Sequence, residues 1–429
     1  MSLVRGVSWV MVIRVAGAVL TYLSHVVLAR WLGVEAFGIF AYAWVWVTII
    51  GFVAPIGISG AVVKFLPDYV ARRKWPRAHG LIHFSRIAVL TSGILTGGLF
   101  AAAIFLLGGS VPEHYRVPLY LAALAIPLIG LIDLFQELSR SFDWMRLAYF
   151  PNYVLRPGAL LLLVGVIVAT GAETTATTAM LAALTATLIT LTLQLILFRR
   201  RLPEVLPPAA RRFRHGRHWV QAAFPFLFIE ASYLVLENTD VIMLGYFMAP
   251  EDVALYYAVI RTTSLIGFIT FAVSALAAPR FATLHAKQQF AELRAFYHHT
   301  IHLTFWPSLV VGVVLLLSGN LILSAFGTAF TDGYPLLVLL VVAILFEAAF
   351  GPVAFLLNMT GQQIAAEQAI MAVAVLNIVF NALLIPVWGL SGATAATALS
   401  IVLRTILFVA LSRRVTNSAV QTAVASKAA

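Results

Sequence analysis

Apolar runs of twenty or more residues recur along this chain with almost no charge inside them, separated by short polar or basic breaks. Each run is long enough to cross a hydrocarbon layer about 30 Å thick. The runs lack the apolar/polar alternation of a lipid-facing barrel strand, so they predict helices. Twelve spans follow: 8–32, 36–62, 83–108, 117–138, 148–170, 175–198, 219–247, 252–279, 301–327, 334–357, 367–387 and 391–412. The first is too long for a cleavable signal peptide and has no small-residue cleavage site after it, so it is read as a spanning helix.

Composition agrees, with 62% hydrophobic and only 10% charged residues, far from the balance of a soluble domain. The absence of cysteine excludes disulfides, thiol catalysis and thiolate metal sites. A net charge of +11 would suggest nucleic acid in a soluble protein; here its meaning lies in which loops carry it. The breaks 71–80, 139–146 and 199–218, the loop with Lys287 and Arg294, and the tail from Ser412 are basic. The intervening breaks are short and neutral or acidic, with Arg116 as the one cation at their edge. Every basic break follows an even-numbered span, which predicts that both termini are cytoplasmic and supports the count of twelve.

The Arg- and Pro-rich segment 199–218 reads as a cytoplasmic linker between a six-helix lobe, 1–198, and a second one, 219–413, followed by a cytoplasmic tail, 414–429. Internal similarity supports two halves. ARWLGVEAFGIFAYA joins the first two spans and IMLGYFMAPEDVALYYA the seventh and eighth; TGAETTATTAMLAALTAT (170–187) matches WGLSGATAATALSIVLRT (388–405). Six spans per half give both halves the same orientation, so the expected fold is an all-α integral membrane protein whose two lobes are related by a pseudo-twofold axis along the membrane normal, around a central cavity. That is the architecture of an alternating-access transporter.

The stretches 14–43, 238–261 and 356–400 together resemble the polysaccharide-transport branch of the multidrug/oligosaccharidyl-lipid/polysaccharide exporter superfamily. The resemblance covers essentially the whole chain. It implies a two-lobed fold of 12 to 14 helices that flips a lipid-linked oligosaccharide, such as an undecaprenyl-diphosphate-linked repeat unit, across the bacterial inner membrane for O-antigen, capsule, exopolysaccharide or teichoic-acid synthesis. It also implies membrane lipids, a polysaccharide polymerase and chain-length machinery as partners; the sequence itself carries no partner signal.

A charge at mid-bilayer costs roughly 2.5–3.5 kcal/mol on insertion scales, so each intramembrane one is expected to face protein or a water-filled cavity. Arg14, Arg156 and Arg261 lie well inside their spans. A guanidinium matches phosphate with two parallel hydrogen bonds, so these three are candidates to line a cationic cavity for the diphosphate. The RVAG context of Arg14 also resembles the first-helix RxxG arginine of lipid II flippases, which serves the cavity there. The alternative is that they pair with Asp133, Glu137 or Glu347. Arg404 sits a few residues inside the cytoplasmic end of its span and can snorkel.

Glu230, Tyr233, Glu237 and Asp240 recur at i, i+3, i+7 and i+10 with Asn238 alongside, which predicts a polar seam on the seventh helix. Its carboxylates could bind Na⁺ or H⁺ and couple transport to a gradient, as in the drug-exporting relatives, or could pair with Arg14 or Arg261. Asn377 and Asn381 are expected to hydrogen-bond between helices. Pro55, Gly57, Gly60 and Pro225 mark places where helices can break. No cofactor, metal constellation, phosphate-binding glycine loop or nucleophile elbow is present. Two other functions compete with the flippase. A drug/cation antiporter would have to tolerate arginines that repel organic cations; a membrane polymerase or ligase would need a sizeable external site, and the outer loops are short.

Overall fold

The computed structural model describes residues 2–109, 111–207 and 216–428; the side chains of 2–9, 11, 225, 229, 230 and 414–428 lie outside the description. The secondary structure among the described residues is helical, and each predicted span falls on one or more helical segments. Ten stretches are long and apolar enough to cross a membrane, or eleven if the two parts of the seventh span count as one. One of them, Gln363–Arg413, holds two predicted spans. It is broken at Gly389, whose φ of 56° and ψ of −129° no helix contains. Outward-facing Leu99, Leu162 and Leu317 are 69%, 74% and 85% exposed, as side chains in contact with lipid would be. The protein is a multi-pass membrane protein.

The chain forms two compact units, Met1–Leu234 and Val235–Ala429. In the first, α1 (Ser2–Leu32) and α2 (Val34–Val53) meet at Gly33, which turns the chain at φ 82°. The predicted second span is not one helix: it breaks between α2 and α3 (Ile58–Ala71). Pro55 lies in that break beside left-handed Gly57. A Cβ on Gly57 would lie 2.2 Å from the Ala223 carbonyl oxygen, so the break is also where another helix approaches most closely. After α4 (Trp75–Leu106) comes α5 (Glu113–Ser141), the most buried span, packed against α2, α3 and α4 and against α8 (Ala176–Val205). Gly93 and Gly97 of α4 allow this approach, since a Cβ on either would lie 2.8 Å from Pro127 or 2.6 Å from the Ala123 carbonyl. Small residues at a helix crossing are the usual means of close packing within a bilayer.

The fifth span is α6 (Met145–Phe150), a π-helical turn Pro151–Leu155, and α7 (Arg156–Ala169). Proline at both 151 and 157 removes amide donors and loosens the regular ladder there. The helix α9 (Gly216–Phe247) crosses the boundary between the units. Its first half packs with the first unit, because the Trp219 indole donates to the Tyr69 hydroxyl at 3.2 Å and Ala223 sits under Gly57.

The second unit contains the rest of α9, then α10 (Pro250–Ala286), α11 (Phe290–Ser324), α12 (Tyr334–Ala348), α13 (Val353–Met359) and α14 (Gln363–Ala428). Here α10 packs on α11, α12 and α13, and α12 packs on α14. The sequence repeat has a counterpart in backbone geometry. Gly171 and Gly389 occupy the same place in the two matched stretches, and both have a positive φ, 68° and 56°.

Candidate functional site

In the second unit, a polar cavity of about 340 Å³ opens among α9, α10, α12 and α14. Asp240 is its most enclosed charge, 2% exposed. Its Oδ1 accepts from the Val241 amide at 2.8 Å, and its Oδ2 accepts from the Tyr256 hydroxyl at 2.5 Å and from Thr397 Oγ1 at 3.1 Å. Tyr256 and Thr397 are themselves 2.9 Å apart. Asp240, Tyr256 and Thr397 thus bring three side-chain oxygens into pairwise hydrogen-bonding distance.

Beside this ring the Asn377 amide donates to Ser400 Oγ at 3.0 Å, and Asn381 donates to the Asn377 carbonyl at 2.9 Å. Asn377 therefore bonds between helical segments as expected, whereas Asn381 turns its amide back onto Asn377. The Asn381 side-chain oxygen is buried without a partner among the described residues. Glu347 of α12 accepts from Arg404 at 2.8 Å. Arg261 holds its guanidinium 4.5 Å over the Tyr257 ring, a cation–π contact that stabilises a cation where water is scarce.

The predicted seam is not a uniformly buried stripe. Asn238 and Asp240 are enclosed, whereas Glu237 is exposed where it lines the same cavity. The side chain of Glu230 lies outside the described residues, as does that of Pro225. Arg404 lines the cavity, where Glu347 lies within hydrogen-bonding distance of it on a neighbouring helix.

In the first unit, Arg14 of α1 lies 4.8 Å from the Tyr149 ring and 5.6 Å from that of Tyr153. Arg156 lies 5.6 Å from the Trp44 ring. The π-helical turn supplies Tyr153 and Asn152, and Arg156 follows directly after it. Asn152 donates to Gln136 at 3.2 Å, Gln136 donates to Glu137 at 3.3 Å, and Arg140 meets both Glu137 oxygens at 2.7–2.8 Å. Two of the carboxylates expected as alternative partners for the three candidate arginines are thus engaged by Arg140 and Arg404. The structure brings Arg261 together with Glu237, Asn238 and Asp240 in one cavity and places Arg14 and Arg156 in the other unit.

Sequence reasoning missed Tyr256, Thr397, Ser400, Gln136 and Asn152. Thr397 and Ser400 had a signal, since they lie in the repeated small-residue stretch 388–405. Tyr256 likewise lies in a repeated stretch, IMLGYFMAPEDVALYYA. Among the described residues no group of three or more His, Asp and Glu side chains is placed to hold a metal ion.

The polysaccharide biosynthesis protein family matches residues 3–285. No curated protein matches the sequence. Among solved structures, the chain is similar to an inward-facing multidrug resistance MATE family transporter of the MOP superfamily, at 16% identity, TM-score 0.74, over 96% of this chain and 99% of that one. It is also similar to the lipid II flippase MurJ in an inward closed conformation, at 13% identity, TM-score 0.75, over 94% and 87%. A third is a MOP superfamily transporter from Pyrococcus furiosus Vc1 described as having a binding pocket of reversed polarity, at 16% identity, TM-score 0.57, over 96% and 95%. At these identities the likeness shows the fold, which is that of transporters and flippases.

Proposed function

We propose that this chain, which belongs to the polysaccharide biosynthesis protein family, is a flippase for lipid-linked oligosaccharide repeat units in the bacterial cytoplasmic membrane, with both termini cytoplasmic. The observation that carries the reading is Arg156. It stands near the middle of the span Met145–Ala169 with its guanidinium over Trp44. A cation at that depth is costly, and positions of this kind are kept for substrate or ion pathways. Arg14 over Tyr149 and Tyr153, and Arg261 over Tyr257, repeat the ring contact. A ring positions a guanidinium by its flat face, and the N–H donors that match a diphosphate lie in the guanidinium plane.

Transport proceeds by alternating access. A coupling ion, H⁺ or Na⁺, is assigned to the cavity of the second unit, where Asp240 and Asn238 are enclosed and Glu237 stands at the open side. The polysaccharide polymerase and chain-length machinery would act on the flipped product.

Depleting the chain in its host tests the reading. Lipid-linked repeat units accumulate on the cytoplasmic face if it is correct. Unchanged surface glycan together with increased drug sensitivity would refute it and support a drug/cation antiporter.

A further inference from the structure

A second cavity, about 580 Å³, lies on the flank of the first unit, where α1, α6 and α8 meet at the arginine-rich end of α8. Its wall is apolar: Ile13 and Leu147 are buried, and Phe150 and Leu197 are 45% and 40% exposed. Its rim is cationic. Arg200 and Arg201 come from α8 and Arg146 from α6, with Glu204 as the acidic group on the same wall.

The register of α8 produces this change of character. Leu197, Arg200, Arg201 and Glu204 fall at i, i+3, i+4 and i+7, so one helix face passes from apolar to cationic within a turn. Arg201 is steadied by Trp144, whose ring lies 5.2 Å from its guanidinium. Trp144 in turn stands 4.8 Å from Phe142 and 5.6 Å from Phe198 in a buried aromatic cluster. The cationic rim is therefore anchored to the core at one point.

Such a groove fits a molecule that is anionic at one end and apolar at the other, lying at the edge of a bilayer. The lining carries three guanidinium groups and one carboxylate, a cationic excess that suits a multiply charged diphosphate better than a singly charged phospholipid. Basic pockets between spanning helices bind doubly charged lipid head groups in this way, and guanidinium forks supply paired hydrogen bonds to phosphate. We propose that this groove is a lateral docking site for the diphosphate of a polyprenyl lipid, its first isoprene units lying along Ile13, Phe150 and Leu197. The assignment rests on the flippase reading and adds to it a place where substrate is held on the flank of the first unit.

The full chain is placed in phosphatidylcholine nanodiscs doped with undecaprenyl diphosphate, phosphatidylglycerol or cardiolipin at equal phosphate charge, and retained lipid is counted by native mass spectrometry. The diphosphate lipid is retained in preference to both others. Arg200→Gln/Arg201→Gln weakens its retention at least about tenfold, and Arg200→Lys/Arg201→Lys weakens it less. If the double glutamine variant loses its thermal midpoint, Arg146→Gln on the other helix gives the same reading. Equal retention of the three lipids, undiminished retention by the glutamine variants, or equally tight binding of free inorganic diphosphate overturns the site. Binding is read without transport. Lipid held here but never flipped therefore refutes the flippase reading alone, and lipid flipped while the glutamine variants bind it undiminished refutes the site alone.

Discussion

The carboxylate of Asp240 on α9 and the hydroxyl of Tyr256 on α10 meet at 2.5 Å across the turn that joins the two helices. Both side chains are shut away from solvent. The pair ties the second half of α9 to α10, and Thr397 of α14 closes the ring from the far end of the unit.

Tyr256→Phe removes a donor and leaves a buried carboxylate oxygen with Thr397 alone. The expected cost is about 1–3 kcal/mol, seen as a lower thermal midpoint of the purified protein. Asp240→Asn combined with Tyr256→Phe should cost less than the sum of the two single changes, since the second change then removes an interaction already weakened. Strict additivity in this cycle would show that the short contact contributes nothing to stability.

Glu347 and Arg404 form an ion pair whose side chains are 32% and 20% exposed. Replacing either alone, Glu347→Gln or Arg404→Gln, removes the opposite charge from its partner within the cavity. A destabilisation of roughly 1–3 kcal/mol is expected, below the cost of breaking a fully buried pair because solvent screens this one. The double variant should recover much of the loss, and a double variant as unstable as the worse single one would argue against the pairing.

Gly97 and Gly98 are neighbours with opposite surroundings. A Cβ at 97 meets the Ala123 carbonyl at 2.6 Å, while one at 98 meets nothing within 4 Å. Gly97→Ala should therefore lower stability by about 1–3 kcal/mol by forcing α4 away from α5. Gly98→Ala should be neutral or raise stability by up to about 1 kcal/mol. Thermal midpoints of the two variants in the same detergent give the comparison, and equal effects would contradict the helix crossing described.

Arg14→Gln and Arg156→Gln should each reduce surface glycan at equal protein level by roughly tenfold, the equivalent of losing one charge-assisted hydrogen bond to phosphate. Lysine at either position should restore only part of the activity, because an ammonium lacks the planar fork. Wild-type export by both glutamine variants would remove these arginines from the substrate route.

The broken second span shows where local reading stops. Pro55 and Gly57 marked a weak point, yet the Ala223 carbonyl lies so close that a Cβ at 57 would meet it at 2.2 Å, and no run of neighbouring residues encodes that approach. Arg404 shows the same limit. Read locally it is a cation near a helix end, and its partner Glu347 lies 57 residues away in the chain.

By itself the sequence determined that this chain crosses a membrane many times, roughly which segments cross it, and which few charges stand inside an apolar run. Those conclusions follow from hydrocarbon thickness and the cost of burying charge, which act on each segment separately. Tertiary structure alone decided which polar groups satisfy one another: Asp240 with Tyr256 and with Thr397, 157 residues distant, Gln136 with Asn152, Arg404 with Glu347. In a bilayer the helices hide their backbones, so the choice of neighbours rests on side chains brought together from distant segments, and helical periodicity carries no record of that choice.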